Sequence, residues 1–109
     1  MSGPPVVTGP MLEVLAVLLE AFTAQEQPHG WAIVKATRRS GPTVYDALDR
    51  LEDAGWVTAR WEDPLPGTVK ARRRFYTLTP TARAEAMALV GEMRQARSVL
   101  GSNPLPGTA

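Results

Sequence analysis

Side chains capable of covalent or acid–base chemistry are sparse in this chain. His29 is the only histidine and there is no cysteine. Disulfides, thiolate zinc sites and cysteine nucleophiles are therefore excluded, and a lone imidazole cannot assemble a usual zinc site. No glycine-rich loop ending in lysine and a hydroxyl residue is present to cradle a phosphate. No second histidine exists to join a nucleophile to an acid. The sequence thus predicts a protein that is not an enzyme and uses no metal or cofactor. What it concentrates is positive charge. The formal net charge is only +1, yet nine of the twelve lysines and arginines, from Lys35 to Arg74, fall within residues 35 to 74. A polyanion within a Debye length of about 10 Å responds to that local density rather than to the total.

The elements that carry this basic segment follow from periodicity. From Pro10 to Ala24, Leu12, Leu15, Leu18, Leu19 and Phe22 recur at three- and four-residue spacing, with Thr8 or Gly9 ahead as cap. Met11, Val14 and Val17 widen that surface beyond one stripe, which predicts a helix facing both its own core and a partner chain. A short second helix over His29 to Arg39 turns Trp31 or Ala32, Ile33 and Ala36 inward. Residues 40 to 43, Ser-Gly-Pro-Thr, form a turn and helix start, and Val44, Ala47, Leu48 and Leu51 form the buried face of a third helix ending at Gly55. The period then changes. Trp56 to Trp61 favours a strand, residues 64 to 67 (PLPG) a turn, and Arg72 to Leu78 a returning strand with Tyr76 and Leu78 on one face. Thr79 and Pro80 restart helix, which places Ala86, Leu89, Val90, Met93, Ala96 and Leu100 along one side up to Gly101.

The fold class expected is mainly α with a β-hairpin, an α+β winged helix-turn-helix. Residues 1–9 form a flexible start, 10–79 the DNA-binding domain, 80–101 a dimerisation helix and 102–109 a disordered tail. At 109 residues the chain accommodates one core. The opening MSGPPVVTGP lacks the basic flank and apolar block of a signal peptide, and Val14 to Leu19 is too short to span a bilayer. A soluble, cytoplasmic protein without a membrane partner is expected.

The segments PHGWAIVKA (28 to 36), SGPTVYDALDRLEDAGWVTARWED (40 to 63) and RRRFYTLTPTARA (72 to 84) resemble the PadR family of transcriptional regulators. The block TVYxxLxRLExxGWV joins a helix start, an aromatic at its third residue, a leucine face and a glycine terminator at fixed spacing. Trp31 stands where Tyr or Leu is usual, the wing carries Val69-Lys70-Ala71, and Ala82 replaces a frequent glycine. A single helix after the wing resembles the short branch of the family, which implies a homodimer built from the first and last helices. The resemblance implies a repressor of operator DNA containing an inverted repeat, released by a small hydrophobic effector or other signal. It also implies that tryptophans can stack a flat ligand, making Trp31, Trp56 and Trp61 candidates.

The DNA-contact candidates are Arg38, Arg39, Ser40, Thr43, Tyr45, Asp46 and Arg50 around the third helix, and Lys70, Arg72 and Arg73 on the wing. Thr43 can equally serve as a cap, and Arg50 can pair with Asp46 or Asp53 within the helix. Strand alternation prevents every wing cation from facing DNA. Dimer candidates are Leu12, Leu15, Leu19, Leu89, Val90, Met93, Ala96 and Leu100. The rival is a winged helix that binds protein instead of DNA, favoured by the acids Asp46, Asp49 and Asp53 on the third helix.

Overall fold

The computed structural model describes residues 6–63, 66–67 and 72–102, with side chains described up to residue 100. The expected flexible start lies partly outside this range, the tail almost wholly, and Lys70 and its neighbours Val69 and Ala71 entirely. Among the described residues the order is α1 (Gly9–Thr23), α2 (Gly30–Thr37), α3 (Gly41–Asp53), β1 (Val57–Trp61), β2 (Arg74–Leu78) and α4 (Pro80–Ser102).

Capping chemistry sets the helix starts. The Thr8 hydroxyl accepts the Met11 amide ahead of α1, His29 Nδ1 accepts the Ala32 amide ahead of α2, and Ser40 Oγ accepts the Thr43 amide ahead of α3. Each satisfies one amide that a helix's first turn leaves without a partner. Pro10 and Pro42 sit in the first turns of α1 and α3, where a missing N–H costs nothing. The α2–α3 turn is made by Arg38 in the left-handed conformation (φ 59°, ψ 24°), its amide donating to Val34 O and Lys35 O. Gly55, at φ 79°, ends the α3 segment and releases the chain into β1.

The antiparallel hairpin pairs Val57 with Leu78, Ala59 with Tyr76 and Trp61 with Arg74. As the alternation predicts, Tyr76 and Leu78 point into the core. The other edge of β2 is also engaged: Tyr76 N donates to Pro28 O at 3.0 Å, and His29 bridges Phe75. Thr79 Oγ1 donates to Gly55 O or Trp56 O, fastening the exit of β2 to the entry of β1 before α4 begins.

α1 runs through the centre, packed on α2, α3, β2 and α4. Its buried residues are Met11, Val14, Leu15, Leu18 and Ala21. The stripe lies rotated from the expected leucine line, leaving Leu12 and Leu19 half-buried and Phe22 exposed. In α2 the inward residues are Gly30, Ile33 and Val34, whereas Trp31 and Ala36 are exposed. The face follows i, i+3, i+4 spacing from Gly30, the residue that meets α3. The α3 face of Val44, Ala47, Leu48 and Leu51 is buried as expected. In α4 the core positions are Ala82, Ala86 and Val90; among the described residues 91–100 only Met93 is even half-buried, so this part of the helix projects from the domain.

Candidate nucleic-acid interface

The start of α3 is presented by its own cap. Ser40 Oγ donates to Thr43 Oγ1 at 2.8 Å while accepting the Thr43 amide, so both hydroxyls serve the helix end. Arg38 is exposed immediately before it. Tyr45 is 40% exposed, and its ring lies against Gly30 so closely that a Cβ there would fall 2.5 Å from the phenol oxygen. Gly30 is thus the floor on which Tyr45 rests. Sequence reasoning missed this role, although a glycine between His29 and Trp31 at a helix start was a visible signal. Asp46 and Arg50 pair at 2.9 Å on the exposed face, which makes Arg50 an intrahelical partner first.

Arg39 turns the other way. Its guanidinium holds Glu13 of α1 at 2.6 Å, and Glu13 also accepts from Arg97 of α4 at 3.1 Å. The hydrogen bond from Arg39, with a further one from Arg97, keeps the Glu13 carboxyl below its ordinary range despite some burial. A carboxylate on α1 therefore occupies an arginine that the sequence suggested as a phosphate anchor.

The hairpin and the residues leading into it contribute both paired and unpaired cations. Arg74 is held by Glu52 of α3 at 2.9 and 3.2 Å. Arg72 and Arg73 are exposed and form no ion pair among the described residues. The Trp61 ring lies 5.2 Å from the Arg74 guanidinium and 6.0 Å from that of Arg72. Arg60 crosses the Phe75 ring at 4.8 Å and donates to Gln27. Tyr45, Trp31, Trp61 and the three consecutive arginines line one concavity of about 410 Å³, with buried Tyr76 among its walls. Burial raises the Tyr76 phenol, against the pull of nearby Arg74.

Three site expectations are corrected. Trp56 is only 9% exposed within the core, so its indole has no face open to a ligand, in contrast to Trp31 and Trp61. Leu15 and Val90 have essentially no exposed surface in a single protomer, because each packs where α1 meets the rest of the core, and neither can contact a partner directly. Of the other proposed dimer residues, Leu12, Leu19, Leu89 and Met93 are half-buried and Ala96 and Leu100 exposed. Beside them, Leu19, Phe22 and Met87 line a groove of about 500 Å³ between α1 and α4, where the Arg83 guanidinium stacks 3.6 Å from the Phe22 ring centre. Among the described residues no cluster of three or more His, Asp or Glu side chains is placed to hold a metal, and no helix is long and apolar enough to cross a membrane.

Two short helices joined by a tight turn, followed by a hairpin and a long terminal helix, define a winged helix-turn-helix protein. The chain belongs to the PadR-like family of transcriptional regulators, whose model matches residues 18–88. The fold is similar to that of a PadR family transcription regulator from Clostridium difficile, at TM-score 0.63 and 21% identity over 86% of this chain and 97% of that one. It is also similar to Staphylococcus aureus MepR in a DNA complex, at TM-score 0.70 and 20% identity over 94% and 69% of the two chains. A third likeness is the circadian clock associated protein Pex from Anabaena, at TM-score 0.63 and 20% identity over 92% and 90%. No curated protein matches the chain significantly in sequence.

Proposed function

We propose that the protein is a dimeric, sequence-specific DNA-binding repressor that reads an inverted repeat and is released by a signal. The observation that carries this reading is the convergence of Tyr45, from the first turns of α3, with the unpaired Arg72 and Arg73 of the wing base around one concavity. The exposed end of α3 enters a major groove, where Ser40, Thr43 and Asp46 meet base edges, and the wing arginines sit on flanking phosphates. Arg38 adds a phosphate contact at the turn. The DNA-bound state of the similarly folded MepR supports the same use of the fold.

Dimerisation is assigned to Leu12, Leu19 and the projecting α4, with Leu89, Met93, Ala96 and Leu100 facing the second copy. Two-fold symmetry then presents two recognition helices to half-sites about one helical turn apart, or a multiple of it. Of the acids that favour a protein-binding module, Asp46 is answered by Arg50, which weakens that rival, while Asp49 and Asp53 remain exposed on the helix.

The test is selection of bound genomic fragments, followed by titration of the recovered site across a salt series. Each cation on a phosphate adds about 0.9 to the magnitude of the log-affinity against log-salt slope. The double variant Arg72→Ala/Arg73→Ala should bind more weakly with a slope smaller by about one to two. An operator without dyad symmetry, or an unchanged slope, refutes the assignment.

A further inference from the structure

Two adjacent arginines at the α2–α3 turn are used in opposite ways. Arg38 is exposed and forms no ion pair among the described residues, whereas Arg39 reaches back to α1. Its Nε donates to Glu13 Oε2 at 2.6 Å and its Nη2 to Oε1 at 3.3 Å. Arg97 of α4 donates to the same Oε1 at 3.1 Å, so cations from two different elements fix one carboxylate. The Arg39 side chain is 38% exposed and that of Glu13 21%. An ion pair so open to water adds little to folding. Its position matters more, because Arg39 directly precedes Ser40, the cap of α3. At the start of a helix that enters a major groove, one guanidinium decides whether one more backbone phosphate is neutralised. Carboxylate and phosphate oxygens are met by the same fork of N–H donors, and on Arg39 the Nε edge of that fork is already filled.

We infer that Glu13 sets the affinity for DNA by withholding Arg39 from the backbone: the α1 carboxylate takes the place of a phosphate oxygen on the guanidinium, and its removal adds one phosphate contact to the complex. Glu13 is within reach whether or not DNA is present. A phosphate must displace it and leave a half-buried carboxylate to Arg97 alone. Glu13 is in this sense a positioning residue, touching no DNA itself. The effect on DNA rests on the repressor reading above, whereas the grip of Glu13 on Arg39 does not depend on it.

Two readouts test the inference. Phenylglyoxal labelling of the full chain without DNA, mapped by peptide mass spectrometry, should modify Arg38 several-fold faster than Arg39 in the wild type. In Glu13→Ala, with its fold checked by circular dichroism, the two rates should become similar. Titration of the genomic fragment recovered by selection should give Glu13→Ala a log-affinity against log-salt slope larger in magnitude by about 0.9, so that its advantage over wild type grows about 3.5-fold between about 200 and 50 mM salt. Arg39→Gln should leave the wild-type slope unchanged and abolish the whole gain in Glu13→Ala, which separates a released cation from the mere loss of a negative charge. Glu13→Gln, which keeps the side chain's length and removes only its charge, should shift the slope in the same direction by a smaller amount. Equal labelling of Arg38 and Arg39 in the wild type overturns the grip. An unchanged slope in Glu13→Ala, a gain that survives Arg39→Gln, or a slope already reduced by Arg39→Gln in the wild type overturns the withholding while leaving the repressor reading standing. Protection of Arg39 in a protein that selects no DNA retains the grip and removes the repressor reading instead.

Discussion

Gly30→Ala isolates the role of Tyr45 without touching Tyr45. The added Cβ would fall 2.5, 2.6 and 2.9 Å from three atoms of the phenol, far inside van der Waals contact. All three belong to the outer end of a side chain that is 40% exposed, so the ring can swing toward solvent by about 1 Å or more while the backbone stays in place. The folding balance is then small. Alanine in a helix gains up to about 1 kcal/mol over glycine, and withdrawing about 40 Å² of ring contact loses about 1 kcal/mol. Stability should change by less than about 1 kcal/mol in urea unfolding. Operator binding should weaken by the worth of one displaced phosphate hydrogen bond, about 0.5–1.5 kcal/mol, or about two- to twelvefold at fixed salt. Tyr45→Phe should lose a similar amount, and the double variant no more than the larger single effect, because both changes remove one interaction. Wild-type operator affinity in Gly30→Ala, or losses that add fully in the double variant, refutes the reasoning.

Two other expectations follow from the packing. Glu13→Gln should lower the urea midpoint at pH 7 by about 0.3 M, as expected for partly exposed ion pairs. Since the folded Glu13 carboxyl is depressed, its contribution is complete above the ordinary value of 4.5 and is lost as pH falls through the folded value, so the gap between wild type and variant should narrow progressively as the pH is lowered below 4.5; a gap that stays constant over that range contradicts the ion-pair account. Val90→Asp buries a charge at a position 1% exposed and should leave the chain unfolded by circular dichroism, at a cost of about 4 kcal/mol. Met93→Asp, on the projecting helix, should instead give a folded monomer in sedimentation, and an unaltered dimer would remove this part of α4 from the interface.

Local chemistry was the legible part of this fold. Ser40 and Pro42 announce a helix start, Gly55 its end, and Tyr76 and Leu78 the inward face of a strand, because each acts through neighbours within a few residues. The α3 face could be read because a strongly two-sided helix admits one orientation. The apolar α1 and the alanine-rich α4 admit several, which is why Leu15 and Val90 were legible as apolar but not as core residues of a single protomer. Arg39 could not be assigned from sequence, since its partner Glu13 lies 26 positions away on another helix. The concavity was hidden for the same reason: Trp31, Tyr45 and Trp61 meet only when α2, α3 and the hairpin are assembled. Lys70 lies outside the described residues.

The stitching of β2 to residues 28 and 29 has a consequence for solubility. A two-stranded ribbon has two edges, each a row of unpaired backbone groups able to recruit a strand from another molecule. Here Pro28 and His29 occupy one edge at Tyr76 and Phe75, which leaves the outer side of β1 as the accessible edge among the described residues. That strand is five residues long and carries an arginine at position 60, whose side chain is drawn across Phe75 toward Gln27. Brevity and a charged residue both discourage strand addition. The segment that starts α2 therefore also guards the hairpin against edge-to-edge aggregation, and loosening it, for instance by extending the loop before Pro28, should expose β2 to self-association before it disturbs the helices.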